Sequence, residues 1–183
     1  MSSGLEREFW VFGYGSLMWR PGFAYRERMA AEIAGWRRAL CVYSHVHRGT
    51  PDRPGLVFGL DRGGSCRGVA YCVATENSRD VLDYLRAREQ ATMVYLEAQV
   101  DVRLDDGRLV TALTYVVDDN HPQYAGALPR EELLRLVRQG VGISGANPEY
   151  VIETARHLKE IGVEDAVLAE LARALAAEAQ AGD

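Results

Sequence analysis

The order of the sequence patterns constrains the fold of this chain most strongly, because strand patterns come first and helix patterns follow. Residues 94–103 alternate between apolar and polar side chains, which is typical of a half-buried strand. Asp105-Asp106-Gly107 then predicts a hairpin turn into a strand over residues 109–117. This order predicts an α+β fold, namely a small mixed or antiparallel β-barrel with flanking helices and with the C-terminal helices packed outside.

The remaining elements follow from apolar periodicity and from the residues that start or end helices. Further strands are predicted over residues 9–14, 38–44, 55–60 and 66–74, with a turn at residues 61–64. One helix, residues 79–89, interrupts the strands, and Asn77 or Ser78 is its expected cap. Later helices are predicted over residues 129–138, up to residue 161 after an expected cap at Asn147 with Pro148 as the first helical residue, and from residue 164 onward.

The composition is that of an ordinary globular chain and disfavours several classes of function. The 183 residues suit a single domain, predicted to span residues 1–183. A formal net charge of -5 disfavours binding to nucleic acid or anionic membranes. The three cysteines lack the spacing of a disulfide framework, and no apolar run approaches the roughly 20 residues of a membrane span. Because the N-terminus has no signal-peptide core, we expect a cytoplasmic protein, and we predict no membrane or protein partner.

The stretch VFGYGSLMWRPGF, residues 11–23, places two glycines among aromatic side chains directly after the first predicted strand. It is not a dinucleotide fingerprint, because the third glycine is missing and a Pro-Gly pair prevents a following helix. A plain tight turn, in which glycine supplies a positive φ, is one interpretation. The other is a ligand loop that approaches a carboxylate through the amides of Gly15, Ser16 and Leu17.

Glu89 is the acidic side chain that the sequence pattern distinguishes from the others. It shares a helix face with Leu82 and Leu85, so that face carries the carboxyl group toward the core. It also lies at the helix C-terminus, where the helix dipole disfavours a carboxylate. Both effects raise its pKa, as a general acid/base that works near neutrality requires. The alternative interpretation is a structural ion pair with Arg86 or Arg88.

The residue types that usually bind metals or attack substrates form no convincing group in this sequence. His45 and His47 would share one face of a strand, but no third ligand is evident. Cys41 has no base partner in the sequence, so a thiol mechanism is unsupported. We therefore expect neither a metal site nor a cofactor.

Four motifs, in order along nearly the whole chain, resemble the ChaC-like γ-glutamylcyclotransferases. They are FGYGSLMW at residues 12–19, GWRR at 35–38 leading to HRGTPDRPGL at 47–56, YLRARE at 84–89, and GISGANPEY at 142–150. The resemblance implies a small β-barrel with flanking helices and the cleavage of γ-glutamyl peptides to 5-oxoproline and an amine. In the glutathione-specific branch, the substrate is the small molecule glutathione and the second product is Cys-Gly.

The resemblance also implies roles for particular residues. Glu89 would be the catalytic acid/base. The residues implied to bind substrate are Tyr14, Gly15, Ser16, Leu17 and Tyr150. The substrate's own amine is the nucleophile in this reaction, so no metal, cofactor or enzyme nucleophile is required.

Two alternatives for the function remain open at this point. One is the same reaction on another γ-glutamyl peptide or amine, and the other is a non-catalytic ligand-binding or regulatory member, as the label "cation transport regulator" suggests. Residues 90–95, QATMVY, depart from the Lys-Gly-Gly-Tyr-like stretch of many relatives, so substrate contacts from that stretch are not carried over. Arg48 or Arg53 either reaches the terminal carboxylate of glutathione or ties down a loop rich in proline and glycine.

Overall fold

The structure is a computed structural model that describes residues 8–182, and within this range five strands close into a barrel. The N-terminal residues on which the signal-peptide prediction rests lie almost wholly outside it. The barrel strands are β1 Phe9–Gly13, β2 Glu27–Ser44, β3 Gly55–Val73, β4 Tyr95–Leu104 and β5 Leu109–Val117. The α-helices of the described residues are α1 Ser78–Glu89, α2 Arg130–Gln139, α3 Asn147–Glu160 and α4 Ala166–Ala181.

The strands follow the order β1-β3-β2-β4-β5 around the barrel. The pairs β1–β3, β2–β4 and β4–β5 are antiparallel, whereas β1 and β5 pair in parallel. The predicted α+β class and the small mixed barrel are therefore confirmed. A short hairpin, β6 Val141–Gly142 and β7 Gly145–Ala146, was not predicted.

The chain divides into two compact units. The first comprises the residues up to Arg38 and Leu60–Val117, and the second comprises Ala39–Gly59 and the residues from Asp118 onward. The barrel pairings given above and α1 belong to the first unit, whereas α2, α3 and α4 belong to the second. A single domain over residues 1–183 stays a prediction.

The predicted turn at residues 61–64 is wrong, because β3 continues through this stretch as one strand. Gly63 (φ 100°) and Gly64 (φ 67°) adopt the left-handed backbone that bends a strand without ending it. Arg37 of β2 supports the bend by pairing with the buried Asp61 at 3.0 Å and donating to the carbonyl of Arg62 at 2.8 Å. The glycines therefore mark a distorted strand.

Asn77 takes the cap position of α1, as predicted, but its side chain makes no capping hydrogen bond. The predicted cap at Asn147 is wrong, because Asn147 is the first residue of α3 and its side chain bonds elsewhere. The 3-10 turn Thr75–Asn77 precedes α1, and the Ser78 hydroxyl donates to the Thr75 carbonyl at 2.7 Å. The fully buried Asn147 bonds with its side chain to the N–H and the carbonyl of Leu56, at 2.7 and 2.8 Å. Its amide thus satisfies a strand backbone inside the second unit.

A core cluster in the first unit joins strands β1, β3 and β5 to α1 and to the segment after β1. Its fully packed members are Val11, Leu17, Val73, Val81, Leu85, Leu113 and Tyr115. Leu17 follows β1 and Leu85 lies on α1, so burial of these side chains fixes the glycine-rich segment beside the helix. Glu89 follows Leu85 by one helical turn on the same face.

Candidate active site

Gly13, the last residue of β1, and Gly15 just after it do not have the positive φ that a plain tight turn would require. Gly15 has φ −129°, and the left-handed backbone of this stretch occurs later, at Gly22 (φ 78°). A Cβ at Gly13 would lie 2.9 Å from the Cβ of Leu17, whereas one at Gly15 would meet no atom within 4 Å. Gly13 thus permits close packing, and Gly15 borders open space where a ligand has room. Residues 13–22 are called the glycine loop below.

The barrel holds the carbonyl groups of the glycine loop. Arg38 donates through Nε to the Tyr14 carbonyl at 2.7 Å. The hydroxyl of Tyr71, a fully buried residue, donates to the carbonyls of Leu17 and Met18, at 2.7 and 2.9 Å. Burial raises the pKa of this Tyr71 hydroxyl, so it remains a donor. The backbone of the loop is therefore held by specific hydrogen bonds.

The side chains of the glycine loop differ in exposure. Tyr14, Leu17 and Met18 are buried, whereas Ser16 is exposed. Ser16 opens the 3-10 turn Ser16–Met18, and the first N–H groups of a helical turn have no acceptor inside that turn. The buried side chains anchor the loop, so any ligand contact from Tyr14 or Leu17 would be made mainly through the backbone.

Glu89 lies at the end of α1, with 19% of its side chain exposed. Burial raises the pKa of this carboxyl group, and the positive charge of Arg88, whose Nε is 3.5 Å from Oε1, opposes that rise. The predicted upward direction is confirmed. Of the two arginines considered for an ion pair, Arg88 is the neighbour of Glu89, whereas Arg86 binds Glu97. Ion pairing and a raised pKa therefore coexist at Glu89.

Arg88 connects Glu89 to the glycine loop. Its Nη2 donates to the Ser16 hydroxyl at 2.5 Å, while its Nε faces the carboxylate of Glu89. Together with the packing of Leu17 and Leu85 in one core cluster, this contact brings the predicted acid/base and the predicted binding loop to one place.

A second carboxyl group close to this place was missed by the sequence interpretation. Glu97 on β4 accepts from Nε and Nη2 of Arg86, at 2.6 and 3.2 Å, and from the hydroxyl of the buried Tyr115 at 3.0 Å. Burial raises the pKa of Tyr115, and the charges of Glu97 and Glu89 add to the rise. The alternating pattern of β4 placed Glu97 on the polar face of the strand, and nothing in that pattern predicted its bonds to Arg86 and Tyr115.

The segment after α1 contains a residue other than glycine in the left-handed region of backbone conformation. Met93 is 64% exposed and has φ 59°, a value that glycine adopts without strain. Its N–H donates to the carbonyl of Gln90 at 3.2 Å, which closes a turn directly after Glu89. A glycine-rich stretch would reach this conformation at lower cost.

Tyr150, the remaining predicted binding residue, lies half-buried on α3 in the second unit. Its hydroxyl accepts from the N–H of Phe58 at 3.1 Å. The guanidinium carbon of Arg48 lies 5.3 Å from the centre of its ring, and Arg48 also donates to the Ala146 carbonyl at 3.2 Å. Arg48 thus has structural contacts inside this unit, in agreement with the interpretation that it holds a loop in place. Arg53 is exposed.

The possible metal ligands are dispersed in the part of the chain that the structure describes. Over residues 8–182, no group of three or more His, Cys, Asp or Glu side chains is arranged to hold a metal ion. His45 stacks on Tyr43, and Nδ1 of His47 lies 2.9 Å from the Ser144 hydroxyl. The three cysteines are buried. Across the same residues, no helix has the length and apolar character needed to span a membrane.

These observations define an α+β barrel protein in which a glycine loop adjoins a largely buried carboxyl group. The sequence profile of the family described as ChaC-like protein matches residues 9–178, and the chain therefore belongs to that family.

Individual relatives agree with this assignment. The chain is 35% identical to the glutathione-specific γ-glutamylcyclotransferase of Escherichia coli (strain K12), over 91% of this chain and 72% of that protein. It is 34% identical to the glutathione-specific γ-glutamylcyclotransferase 1 of Homo sapiens, over 88% and 74% of the two chains. The crystal structure of the yeast γ-glutamyl cyclotransferase specific to glutathione has the same fold, with a TM-score of 0.82, 24% identity, and 92% and 96% of the two chains covered.

Proposed function

We propose that this protein is a glutathione-specific γ-glutamylcyclotransferase that converts glutathione to 5-oxoproline and Cys-Gly. The observation that carries the proposal is Glu89, a largely buried carboxyl group with a raised pKa beside the glycine loop. The similarity to proteins named for this activity supports the same reaction class. The α+β fold alone would not define a reaction.

The reaction is an internal aminolysis. The α-amine of the γ-glutamyl group attacks its own γ-amide carbonyl, so a new C–N bond closes the five-membered lactam. The former amide C–N bond then breaks, and the cysteine nitrogen leaves as an amine. Because the nucleophile and the electrophile belong to one molecule, the enzyme's main task is to hold them within about 3–3.5 Å.

Glu89 is the proposed proton carrier for this reaction. Its carboxylate takes a proton from the substrate ammonium group, and the resulting carboxylic acid gives that proton to the leaving nitrogen. The attacking nitrogen loses a second proton as the lactam forms, and the released amine takes up this proton to become an ammonium group. Burial raises the pKa of Glu89, and this makes the carboxylate a better base than an exposed glutamate. One group can therefore serve both steps.

The glycine loop is the proposed binding site for the γ-glutamyl group. Open space at Gly15 and the N–H groups at the start of the Ser16–Met18 turn suit a carboxylate or the developing oxyanion. The proposal assigns this contact to Tyr14, Gly15, Ser16 and Leu17, mostly through their backbone. Tyr150 is proposed as a supporting residue, on the basis of the fourth motif. We further propose a cytoplasmic location, where thiol groups such as that of glutathione are kept reduced.

The test is a product assay with a substrate panel. Purified protein is incubated with glutathione, γ-glutamyl-alanine and γ-glutamyl-lysine, and 5-oxoproline and the released amine are measured by mass spectrometry. We expect turnover of glutathione in the presence of a metal chelator, with little turnover of the other two. Equal or higher turnover of the other compounds would support the broader cyclotransferase. Tight binding of glutathione without any product would support a non-catalytic member and contradict the proposal.

A further inference from the structure

The guanidinium group of Arg88 contacts several groups of the glycine loop. Nη2 donates to the Ser16 hydroxyl at 2.5 Å, and Nη1 donates to the carbonyls of Arg20 and Pro21, at 2.9 and 3.4 Å. These three acceptors belong to the glycine loop, 67 to 72 residues earlier in the sequence. Arg88 thus fastens the loop to α1 at several points.

The third nitrogen of the same group faces the proposed acid/base. Nε of Arg88 lies 3.5 Å from Oε1 of Glu89, and 22% of the Arg88 side chain is exposed. Nη1 also donates to the Tyr84 hydroxyl at 3.0 Å, and a Cβ at Gly22 would lie only 2.0 Å from that oxygen. Tyr84 therefore packs directly on the loop and limits the positions that the guanidinium can adopt.

These contacts require an arginine. A guanidinium group presents its N–H groups in a rigid planar fork, so one side can bind the loop while Nε faces the carboxylate. A lysine ammonium group keeps the charge but concentrates its donors at one point, which cannot reproduce both sets of contacts.

We propose that Arg88 is a positioning residue for the cyclotransferase reaction: its guanidinium holds the glycine loop at the end of α1 and orients the Glu89 carboxylate toward it. This inference rests on the proposed function for the role of Glu89, and it assigns Arg88 no contact with the substrate. Its effect on the reaction is transmitted through Ser16 on one side and Glu89 on the other.

Arg88 also sets the charge environment of Glu89. Among the described residues, the positive charge of Arg88 acts on this carboxylate, and Glu89 in turn raises the pKa of the Tyr115 hydroxyl on β5, which is bonded to Glu97 of β4. Without the guanidinium group, no positive charge at Arg88 opposes the effect of burial on Glu89, so the pKa of Glu89 rises further. A residue that only held the glycine loop in place, without acting on Glu89, would not move the ionisation of Glu89.

The experiment compares Arg88→Met and Arg88→Lys with wild-type protein, and uses Arg86→Met as the matched control. Arg86 lies on the same helix but pairs with Glu97. With glutathione as substrate, we expect Arg88→Met to lower kcat/KM by about 10²-fold, the size of effect that misplacement by about 1 Å causes. Its acidic pH limb should move to higher pH. Arg88→Lys should also be slow, but with a limb close to that of wild type, because the charge remains.

A second measurement keeps the inference testable apart from turnover. The ionisation of Glu89 is followed by NMR of its side-chain carboxyl carbon in wild type, Arg88→Met and Arg86→Met, after circular dichroism has established that each is folded. We expect the Glu89 titration to shift upward only in Arg88→Met. Wild-type activity and an unchanged titration in Arg88→Met would overturn the inference, whereas an inactive wild type with a shifted titration would overturn the proposed function.

Discussion

Glu89 at the end of α1 and Glu97 at the start of β4 are both partly exposed at the surface, with 19% and 25% of their side chains accessible. Their ionisation nevertheless differs in direction. Burial raises the pKa of Glu89, whereas the hydrogen bonds from Arg86, followed by that from Tyr115, lower the pKa of Glu97 in spite of burial. Arg88 directs its terminal N–H groups to the glycine loop and offers Glu89 only a contact at 3.5 Å. The difference has two causes: desolvation is the largest effect on the pKa of Glu89, whereas hydrogen bonding is the largest effect on the pKa of Glu97.

The largest expected effect separates the two carboxyl groups by activity. Glu89→Gln should lower kcat with glutathione by about 10²–10⁴-fold, the contribution typical of a positioned acid/base. Glu97→Gln should retain most of the activity, because the Glu97 carboxylate is already bound by Arg86 and Tyr115 and has no proposed role in proton transfer. Steady-state kinetics on both variants measures this difference. Comparable losses of kcat in the two variants would contradict the assignment of proton transfer to Glu89 and not to Glu97.

The next effect concerns the pH dependence of the wild-type enzyme. Glu89 must be ionised to accept the first proton, and its pKa is raised, so kcat/KM should fall with decreasing pH at values above the ordinary glutamate range of about 4.3. A pH profile of kcat/KM measures this limb. A limb at or below the ordinary range would mean that burial does not tune Glu89.

A smaller effect is expected in stability, with opposite signs at the two sites. The pKa of Glu97 is lowered on folding, so its ionised form stabilises the fold above the unfolded pKa, and this contribution disappears as the pH falls through the folded pKa. Glu97→Gln should therefore lower Tm at neutral pH by about 2–4 °C, the shift that roughly 1 kcal/mol produces in a chain of this size. Thermal unfolding at neutral and acidic pH tests whether the loss vanishes in acid.

Glu89→Gln should show the reverse behaviour. A raised folded pKa favours the fold below the unfolded pKa, and this advantage is lost as the pH rises through the folded pKa. Replacing the carboxylate by a neutral amide removes that penalty, so Tm should rise slightly at neutral pH and stay unchanged in acid. A variant that is inactive but less stable at neutral pH would indicate that Glu89 mainly forms a structural ion pair with Arg88.

The smallest expected effect is a change in the pKa of Glu97 when its bond to Arg86 is removed. Arg86→Met removes the strongest cause of the low pKa of Glu97 but leaves the Tyr115 bond in place. The Glu97 titration, followed by NMR, should move upward while the Glu89 titration stays in place. Movement of both would indicate that the two carboxyl groups titrate as a coupled pair.

Local patterns in the sequence determined much of the fold. Alternation over β4 and the turn at residues 105–107 predicted the β4–β5 hairpin, and periodicity placed α1 and the burial of Leu85. Each of these signals arises within one element or between neighbours in the chain. The errors occurred where partners are distant, as with Asn147, which binds the backbone of Leu56 instead of capping its helix.

The same distinction holds for the candidate site. The sequence by itself placed Glu89 on a buried helix face and the two glycines at the end of the first strand, because those positions depend on helix period and on chain order. Only the tertiary structure decided that Arg86 binds Glu97 while Arg88 spans Glu89 and Ser16. Ser16 and Arg88 are separated by 72 residues, and closure of the barrel brings them within one hydrogen bond of each other. Such a contact depends on the path of the whole chain and leaves no periodic trace in the sequence.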